Sequence, residues 1–266
     1  MKNKVIIITG ASSGIGEALA ISLAKNENKL VLAGRNMEKL YAVSEKIKAK
    51  NINTISIATN VCKAEDCQRL IEKTIAEFGR IDVLINNAGI SMRALFNESN
   101  LDVIKKVMDT NFWGTVYCTK YALPYLLKVR GSLVGISSIA GHIGLPERTA
   151  YSASKFAMNG FLESIRSENL QNNLHVLIAC PGFTASNIRK SALTKDGTPQ
   201  TRSPRNEKKM MTAEKVAKEI ICAIDCKKDT LTLSANGKLI VWINRFFPKI
   251  AKRLVFNHFS KEKKIN

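Results

Sequence analysis

Tyr151 and Lys155 stand four residues apart in Tyr151-Ser152-Ala153-Ser154-Lys155. On a helix, positions i and i+4 share a face, so the phenol and the ammonium project together. A phenol titrates near 10 and is a poor base at neutral pH. A neighbouring ammonium favours the phenolate and brings the group toward the working range, which suits proton transfer to or from a reacting oxygen. Ser138 lies thirteen residues before Tyr151, just past an apolar run, and offers a hydroxyl that can hold such an oxygen. A Tyr–Lys pair by itself is usually only a surface contact on a helix. Its meaning depends on what else the chain carries.

The N-terminus carries a second constellation. The apolar run Val5-Ile6-Ile7-Ile8 leads into Thr9-Gly10-Ala11-Ser12-Ser13-Gly14-Ile15-Gly16, which opens a helix. Glycines permit a tight turn and let the backbone approach a pyrophosphate, and the helix N-terminus adds free N–H groups and partial positive charge. Such turns also serve as plain strand–helix connections, but the place after a first strand favours dinucleotide binding. The residue closing the second strand faces the adenosine ribose, where an acid would accept from a free 2′-hydroxyl and repel a 2′-phosphate. Here the chain reads Ala33-Gly34-Arg35, with no acid before Glu38. A guanidinium can pair with a 2′-phosphate through two parallel hydrogen bonds. The alternative is an exposed loop arginine. The balance favours NADP(H) over NAD(H).

These groups need a frame, and the periodicity supplies one. Strands are expected at Lys4–Thr9, Lys29–Ala33, Thr54–Ala58, Asp82–Asn86, Ser132–Ser137, His175–Ala179 and Leu231–Leu233. Helices are expected at Gly14–Asn26, Met37–Lys50, Ala64–Phe78, Leu101–Leu127, Ala150–Asn169 and Thr212–Cys226, the last capped by Thr212. Alternation with continuous β-branched runs predicts an α/β, doubly wound Rossmann fold, a parallel sheet of about seven strands with helices on both faces. Residues 183–211 break the pattern. A stretch so long and polar inside a compact domain reads as a substrate lid.

The motifs TGxxxGxG, Asn86-Asn87-Ala88-Gly89, Ser138 and Tyr151…Lys155, in this order, resemble the short-chain dehydrogenase/reductase family. The resemblance is specific over about residues 4–188 and rests on general layout over 189–233. It implies that Gly10, Ser12, Ser13, Gly14, Ile15 and Gly16 cradle the cofactor, and that Asn87, Ala88 and Gly89 line its adenine and ribose side. Where the family commonly has Asp-Val after the third strand, this chain has Asn60-Val61, whose amide can still accept from or donate to adenine. Asn111, in Asp109-Thr110-Asn111-Phe112-Trp113-Gly114, matches the family asparagine that positions the lysine through a water. Pro181-Gly182, with Thr184 beyond, matches the turn beside the nicotinamide. By the same resemblance Tyr151 transfers the proton, Ser138 positions the oxygen, and Lys155 tunes Tyr151 and holds the ribose.

Ala122-Leu123-Pro124 and Tyr151–Ala157 look most like the branch containing 11β-hydroxysteroid dehydrogenases and their membrane-associated relatives. That implies carbonyl–alcohol interconversion on a bulky apolar or lipid-like substrate. The alternatives are a 3-oxoacyl-acyl-carrier-protein-type reductase and, outside enzymes, an NADP-sensing regulatory protein. An intact Asn111–Ser138–Tyr151–Lys155 set argues against a mere sensor.

The 266 residues suit one large domain at 1–236 and a tail at 237–266. No signal peptide and no run of about 18 apolar residues is present, so the expected place is the cytoplasm. The six cysteines are scattered and read as reduced thiols, with Cys222 and Cys226 core-facing on a helix; the isolated His142, His175 and His258 suggest no metal. Of the net +19 charge, residues 189–266 carry 19 basic against 7 acidic side chains. Nothing beyond that charge supports nucleic-acid binding. In the tail, Leu239, Ile240, Trp242, Ile243, Phe246 and Phe247, then Ile250, Leu254, Val255 and Phe259, are ringed by Lys and Arg. Such a segment suits an anionic membrane surface on the inner face; packing on the domain or on a second subunit is the competing reading. A homo-oligomer, dimer or tetramer, is expected.

Overall fold

The computed structural model describes residues 1–25, 27–48, 53–185, 188–201 and 210–263. All five residues of strand β1 (Val5–Thr9) are buried. Ile6 and Ile8 enter the apolar layer on one face of the sheet, Val5 and Ile7 the layer on the other. A strand covered on both faces has no polar side to show, which is why this segment is unbroken apolar sequence. In β2 (Lys29–Gly34), Leu30 and Leu32 join the first layer and Val31 and Ala33 the second.

After β3 (Thr54–Ala58), β4 (Val83–Asn86), β5 (Ser132–Ile136) and β6 (His175–Cys180), the two-residue strands β7 (Thr184–Ala185) and β8 (Met211–Thr212) pair with each other. With β9 (Thr230–Thr232) the main sheet has seven parallel strands in the order β3-β2-β1-β4-β5-β6-β9. The helices are α1 (Gly14–Leu23), α2 (Met37–Lys48), α3 (Ala64–Phe78), α4 (Leu101–Met108), α5 (Gly114–Lys128), α6 (Thr149–Glu168), α7 (Ala213–Asp225), α8 (Ala235–Phe246) and α9 (Pro248–Lys263). Side chains of α1, α2 and α7 fill the first layer; those of α3, α5 and α6 fill the second. The doubly wound parallel sheet is therefore as expected. Strand order reverses between β1 and β4, and that switch opens a crevice at their carboxyl ends.

Several local expectations are corrected. The helix expected at Gly14–Asn26 ends at Leu23, where Asn28 Nδ2 takes the Leu23 carbonyl at 2.9 Å. Asn26, and residues 49–50 of the next helix, lie outside the described residues. The continuous helix expected over Leu101–Leu127 is two helices joined by a π-turn, Asp109–Trp113. Cys222 and Cys226 are exposed. The buried stripe of α7 runs through Ala213, Val216, Ala217, Ile220, Ala223 and Ile224, which leaves both thiols on the outer face. Of the 183–211 stretch, residues 186–187 and 202–209 lie outside the described residues, so its expected role as a lid rests on the remainder. There Leu193 is bridged to Met92 and Pro199.

In the tail, Ala251, Val255 and Phe259 are buried with Ile143, against Ile139, Leu145, Ile240 and Ile243. The helical hairpin α8–α9 thus packs on the segment that follows β5, while Ile250 and Leu254 face outward. Residues 264–266 lie outside the described residues.

Candidate active site

The glycine turn is bolted to the end of β4. Thr9 Oγ1 accepts from the backbone N–H groups of Asn87 and Ala88, each at 3.0 Å. Asn87 Nδ2 donates in return to the carbonyls of Thr9 (2.9 Å) and Gly10 (3.1 Å). Gly10 sits at φ +65, and a Cβ there would lie 2.9 Å from Ala88 Cα. A Cβ on Gly16 would strike the Gly10 carbonyl oxygen and stand 2.6 Å from Asn87 Nδ2. Both positions need glycine for space. Ser13, in the N-cap position of α1, makes no side-chain capping bond. The first-turn N–H groups are therefore left to an outside acceptor, and a diphosphate fits that requirement. Ile15 packs on the first apolar layer.

At the end of β2, Ser12 Oγ lies 3.7 Å from where a Cβ on Gly34 would be. Arg35 follows, exposed. The Ser12 hydroxyl thus adjoins the strand end from which Arg35 leaves. Asn60 Oδ1 accepts from Cys62 N–H at 3.2 Å. Asp66 accepts from Asn60 N–H at 2.8 Å, and that bond, helped by Arg69, holds its carboxyl below the usual range. Val61 is buried against Gly114 of α5.

Tyr151, Lys155, Ser138 and Asn111 converge at the carboxyl edge of β4 and β5. Ser138 caps a short 3-10 turn, Ile139–Gly141, with its Oγ accepting from Ala140 N–H at 3.2 Å. Burial pushes the Tyr151 phenol above its ordinary value; a hydrogen bond from Ser138 and the charges of Arg148 and Arg189 pull it back down. Lys155 is buried, donates to the Ile136 carbonyl at 2.7 Å, and lies 5.9 Å from the Tyr151 ring centroid. Burial lowers its pKa to about 8. The expected lowering of the phenol by Lys155 is thus corrected: burial outweighs the downward pulls, and the cations that lower it are Arg148 and Arg189.

The π-turn carries Asn111, whose Oδ1 accepts from Ile90 N–H (2.8 Å) and whose Nδ2 donates to Ile90 O and Ser154 Oγ (2.9 Å each). A Cβ on Gly89 would be 3.2 Å from Asn111 Oδ1 and 3.7 Å from Lys155 Nζ. Asparagine, glycine and lysine therefore meet at one point. π-Turns recur at functional sites because they break the regular backbone ladder. Beyond β6, the Ile139 N–H donates to the Pro181 carbonyl at 3.3 Å. Thr184, itself buried, donates its hydroxyl to Gly182 O at 3.2 Å.

Three neighbours escape motif reading. Arg148, buried three residues before Tyr151, donates to Ser91 Oγ (3.1 Å) and Met92 O (3.0 Å). Arg189, from the expected lid, donates to the Thr184 carbonyl. Cys180 Sγ lies 3.3 Å from His142 Nε2. Burial raises that thiol to about 11, against the pull of Ser137 and Lys155, and burial also lowers His142, so the pair is neutral at pH 7. In sequence, Arg148 was visible only as a charge three residues from Tyr151.

The family described as short chain dehydrogenase matches residues 4–197. Dehydrogenase/reductase SDR family member 7B of Bos taurus is 35% identical over 99% of this chain and 84% of its own. An 11-beta-hydroxysteroid dehydrogenase of Pinus massoniana is 40% identical over 74% of this chain and 56% of its own. Among solved structures, the alcohol dehydrogenase of the archaeon Thermococcus sibiricus, complexed with 5-hydroxy-NADP, superposes with a TM-score of 0.73. It covers 86% of this chain and 93% of its own at 23% identity, a likeness of fold.

Proposed function

The chain belongs to the short chain dehydrogenase family and is an oxidoreductase; from its site we propose that it uses NADP(H) to interconvert a ketone and a secondary alcohol on a bulky, apolar or lipid-like substrate. The observation that carries the chemistry is the buried Lys155 ammonium 5.9 Å from the Tyr151 ring centroid, at the strand end that presents Ser138. When bound, the cofactor supplies or takes up the hydride.

The chain's own residues do the rest. The first-turn N–H groups of α1 would hold the diphosphate, with Gly10 and Gly16 giving it clearance. Ser12 and Arg35 would take the 2′-phosphate. Ser138 and Tyr151 would both reach the substrate oxygen; in reduction Tyr151 gives it a proton, in oxidation Tyr151 takes one. Lys155, with no carboxylate within ion-pairing distance among the described residues, places positive charge beneath that oxygen and the ribose. Asn111 fixes the backbone at Ile90, beside Gly89, near which the Lys155 ammonium lies.

The cofactor assignment has its own test. Arg35→Ala should raise KM for NADPH about 10- to 100-fold, because a charge-assisted bidentate pair is lost. KM for NADH should change less than about threefold, since no 2′-phosphate is there to lose. Steady-state titration with both nucleotides reads this directly. Equal effects on both would remove Arg35 from the ribose.

The tail supports a membrane-surface role within the same reading. Leu239, Trp242, Phe246, Phe247 and Ile250 are each at least half exposed. Trp242 contacts both phenylalanine rings, and Lys238, Arg245 and Lys249 flank the patch in exposed positions. Among the described residues no helix is long and apolar enough to cross a membrane. Such a face suits the headgroup boundary of an anionic bilayer. The full chain should pellet with phosphatidylglycerol-containing vesicles at low salt, and Trp242→Ala or about 0.5 M salt should release most of it. Protein that stays in the supernatant with vesicles at low salt would overturn this part.

A further inference from the structure

Ser138 presents its hydroxyl from the turn Ile139–Gly141, so whatever holds that turn governs where the hydroxyl points. The turn is held from three directions. From α6, Asn159 Nδ2 donates to the Gly141 carbonyl at 3.0 Å. From β6, Cys180 Sγ meets His142 Nε2 at 3.3 Å. From the C-terminal hairpin, Asn244 Nδ2 donates to the His142 carbonyl at 2.8 Å. The first two anchors belong to the sheet and its covering helix. The third reaches in from α8, beyond residues 4–197 that the family match spans.

Packing makes the same connection. Ile139, next to Ser138 in the chain, has its Cδ1 2.7 Å from where a Cβ on Gly237 would lie and 3.2 Å from one on Gly182. The first turn of α8 and the turn after β6 thus close on one isoleucine. Ser234 caps α8 by accepting from Gly237 N–H at 3.1 Å and sets where that turn begins. Ile139 also packs with Ile240 and Ile243 of α8 around the buried Ile143 and Val255. Apolar contact of this kind brings the helix near but leaves it free to slide. A single amide–carbonyl bond fixes the register.

We propose that Asn244 is a positioning residue for Ser138: its amide holds the His142 carbonyl and thereby sets the turn from which the serine hydroxyl meets Tyr151 and the substrate oxygen. The inference rests on the carbonyl–alcohol chemistry above. It assigns the tail a part in the active site that is separate from contact with a membrane, since Asn244 faces the domain while Trp242 faces outward.

The test is a double-mutant cycle on the full-length protein, with NADPH and a ketone substrate. Asn244→Leu removes the donor at similar volume, and Asn244→Asp removes it with almost no change of shape. Either should lower kcat about 10- to 100-fold, the range that an ångström-scale misplacement produces. NADPH binding, followed by its fluorescence, should stay within about twofold, because no contact of Asn244 reaches the glycine turn. The alkaline limb of reductive kcat/KM should move to higher pH, since Ser138 is one of the groups that pull the Tyr151 phenol down. Introduced into Ser138→Ala, the Asn244 change should cost less than about twofold more, because the hydroxyl it positions is already gone. A full 10-fold or greater loss in the Ser138→Ala background, or wild-type kcat in Asn244→Asp, overturns the inference. If Ser138→Ala itself leaves reduction unchanged, the proposed chemistry fails and the positioning role fails with it. Wild-type kcat in Asn244→Asp beside a disabled Ser138→Ala defeats the positioning role alone.

Discussion

Tyr151→Phe is expected to lower kcat for ketone reduction about 10²- to 10⁴-fold, the contribution of a positioned general acid. Phenylalanine keeps the ring against the apolar cluster that includes Met92, Val103 and Leu193 and removes only the hydroxyl. Cofactor affinity should therefore stay within about twofold, and thermal stability should change little. The pH dependence follows from the same environment. Burial raises the phenol above about 10 in the ligand-free protein, outweighing Ser138, Arg148 and Arg189. Reduction needs the protonated phenol, so reductive kcat/KM should have no limb from this group near neutrality and should fall only at strongly alkaline pH. Oxidation needs the phenolate and should still be rising with pH there. Steady-state rates in both directions, wild type beside Tyr151→Phe, measure this. Reduction within about threefold of wild type in the variant would dismiss Tyr151 as the proton donor.

Lys155→Met is expected to do two opposite things, to remove most activity and to stabilise the fold. Activity should drop about 100-fold or more, because the positive charge beneath the reacting oxygen is lost. Stability should rise because the charge is held at a cost. Burial takes the ammonium from its ordinary value near 10.5 to about 8. At pH 7 the lysine is protonated in both the folded and the unfolded chain, so the full penalty applies. It amounts to about 3 kcal/mol before counting the Ile136 carbonyl that methionine leaves unbonded.

A net gain of about 1–2 kcal/mol would raise Tm by a few degrees in a chain of this size. The sign with pH is fixed by linkage. A cation whose folded pKa is depressed destabilises fully below about 8, and the penalty drains away between about 8 and 10.5 as the folded state, then the unfolded state, loses the proton. The Tm advantage of Lys155→Met should therefore be largest at pH 7 and shrink toward pH 10. Calorimetry of both proteins over that range decides it, and a variant that melts below wild type at pH 7 would contradict the burial argument. Such a cost at a functional group is an ordinary trade between stability and activity.

Much of this protein is set by local sequence. The run Val5–Ile8 must be a strand covered on both faces, because no polar side chain is available to face water. Gly10, at φ +65, marks a turn that glycine adopts freely, and a Cβ on Gly16 would strike the Gly10 carbonyl six residues back. The i, i+4 spacing of Tyr151 and Lys155 puts both on one face wherever the helix lies. These follow from steric rules and periodicity that act within a few residues, and they survive any tertiary arrangement.

Other properties depend on what comes near from far along the chain. The outward face of Cys222 and Cys226, the π-turn that carries Asn111, and the split of the tail into Ala251–Val255–Phe259 inward and Ile250–Leu254 outward are decided by packing. So are the low pKa of Lys155, the two arginines beside Tyr151, and the hold of Asn244 on His142, 102 residues away. Desolvation, charge proximity and hydrogen-bond register are non-local quantities. The type and spacing of residues name the groups that can do the chemistry, and only the folded chain determines how each is charged and where it is held.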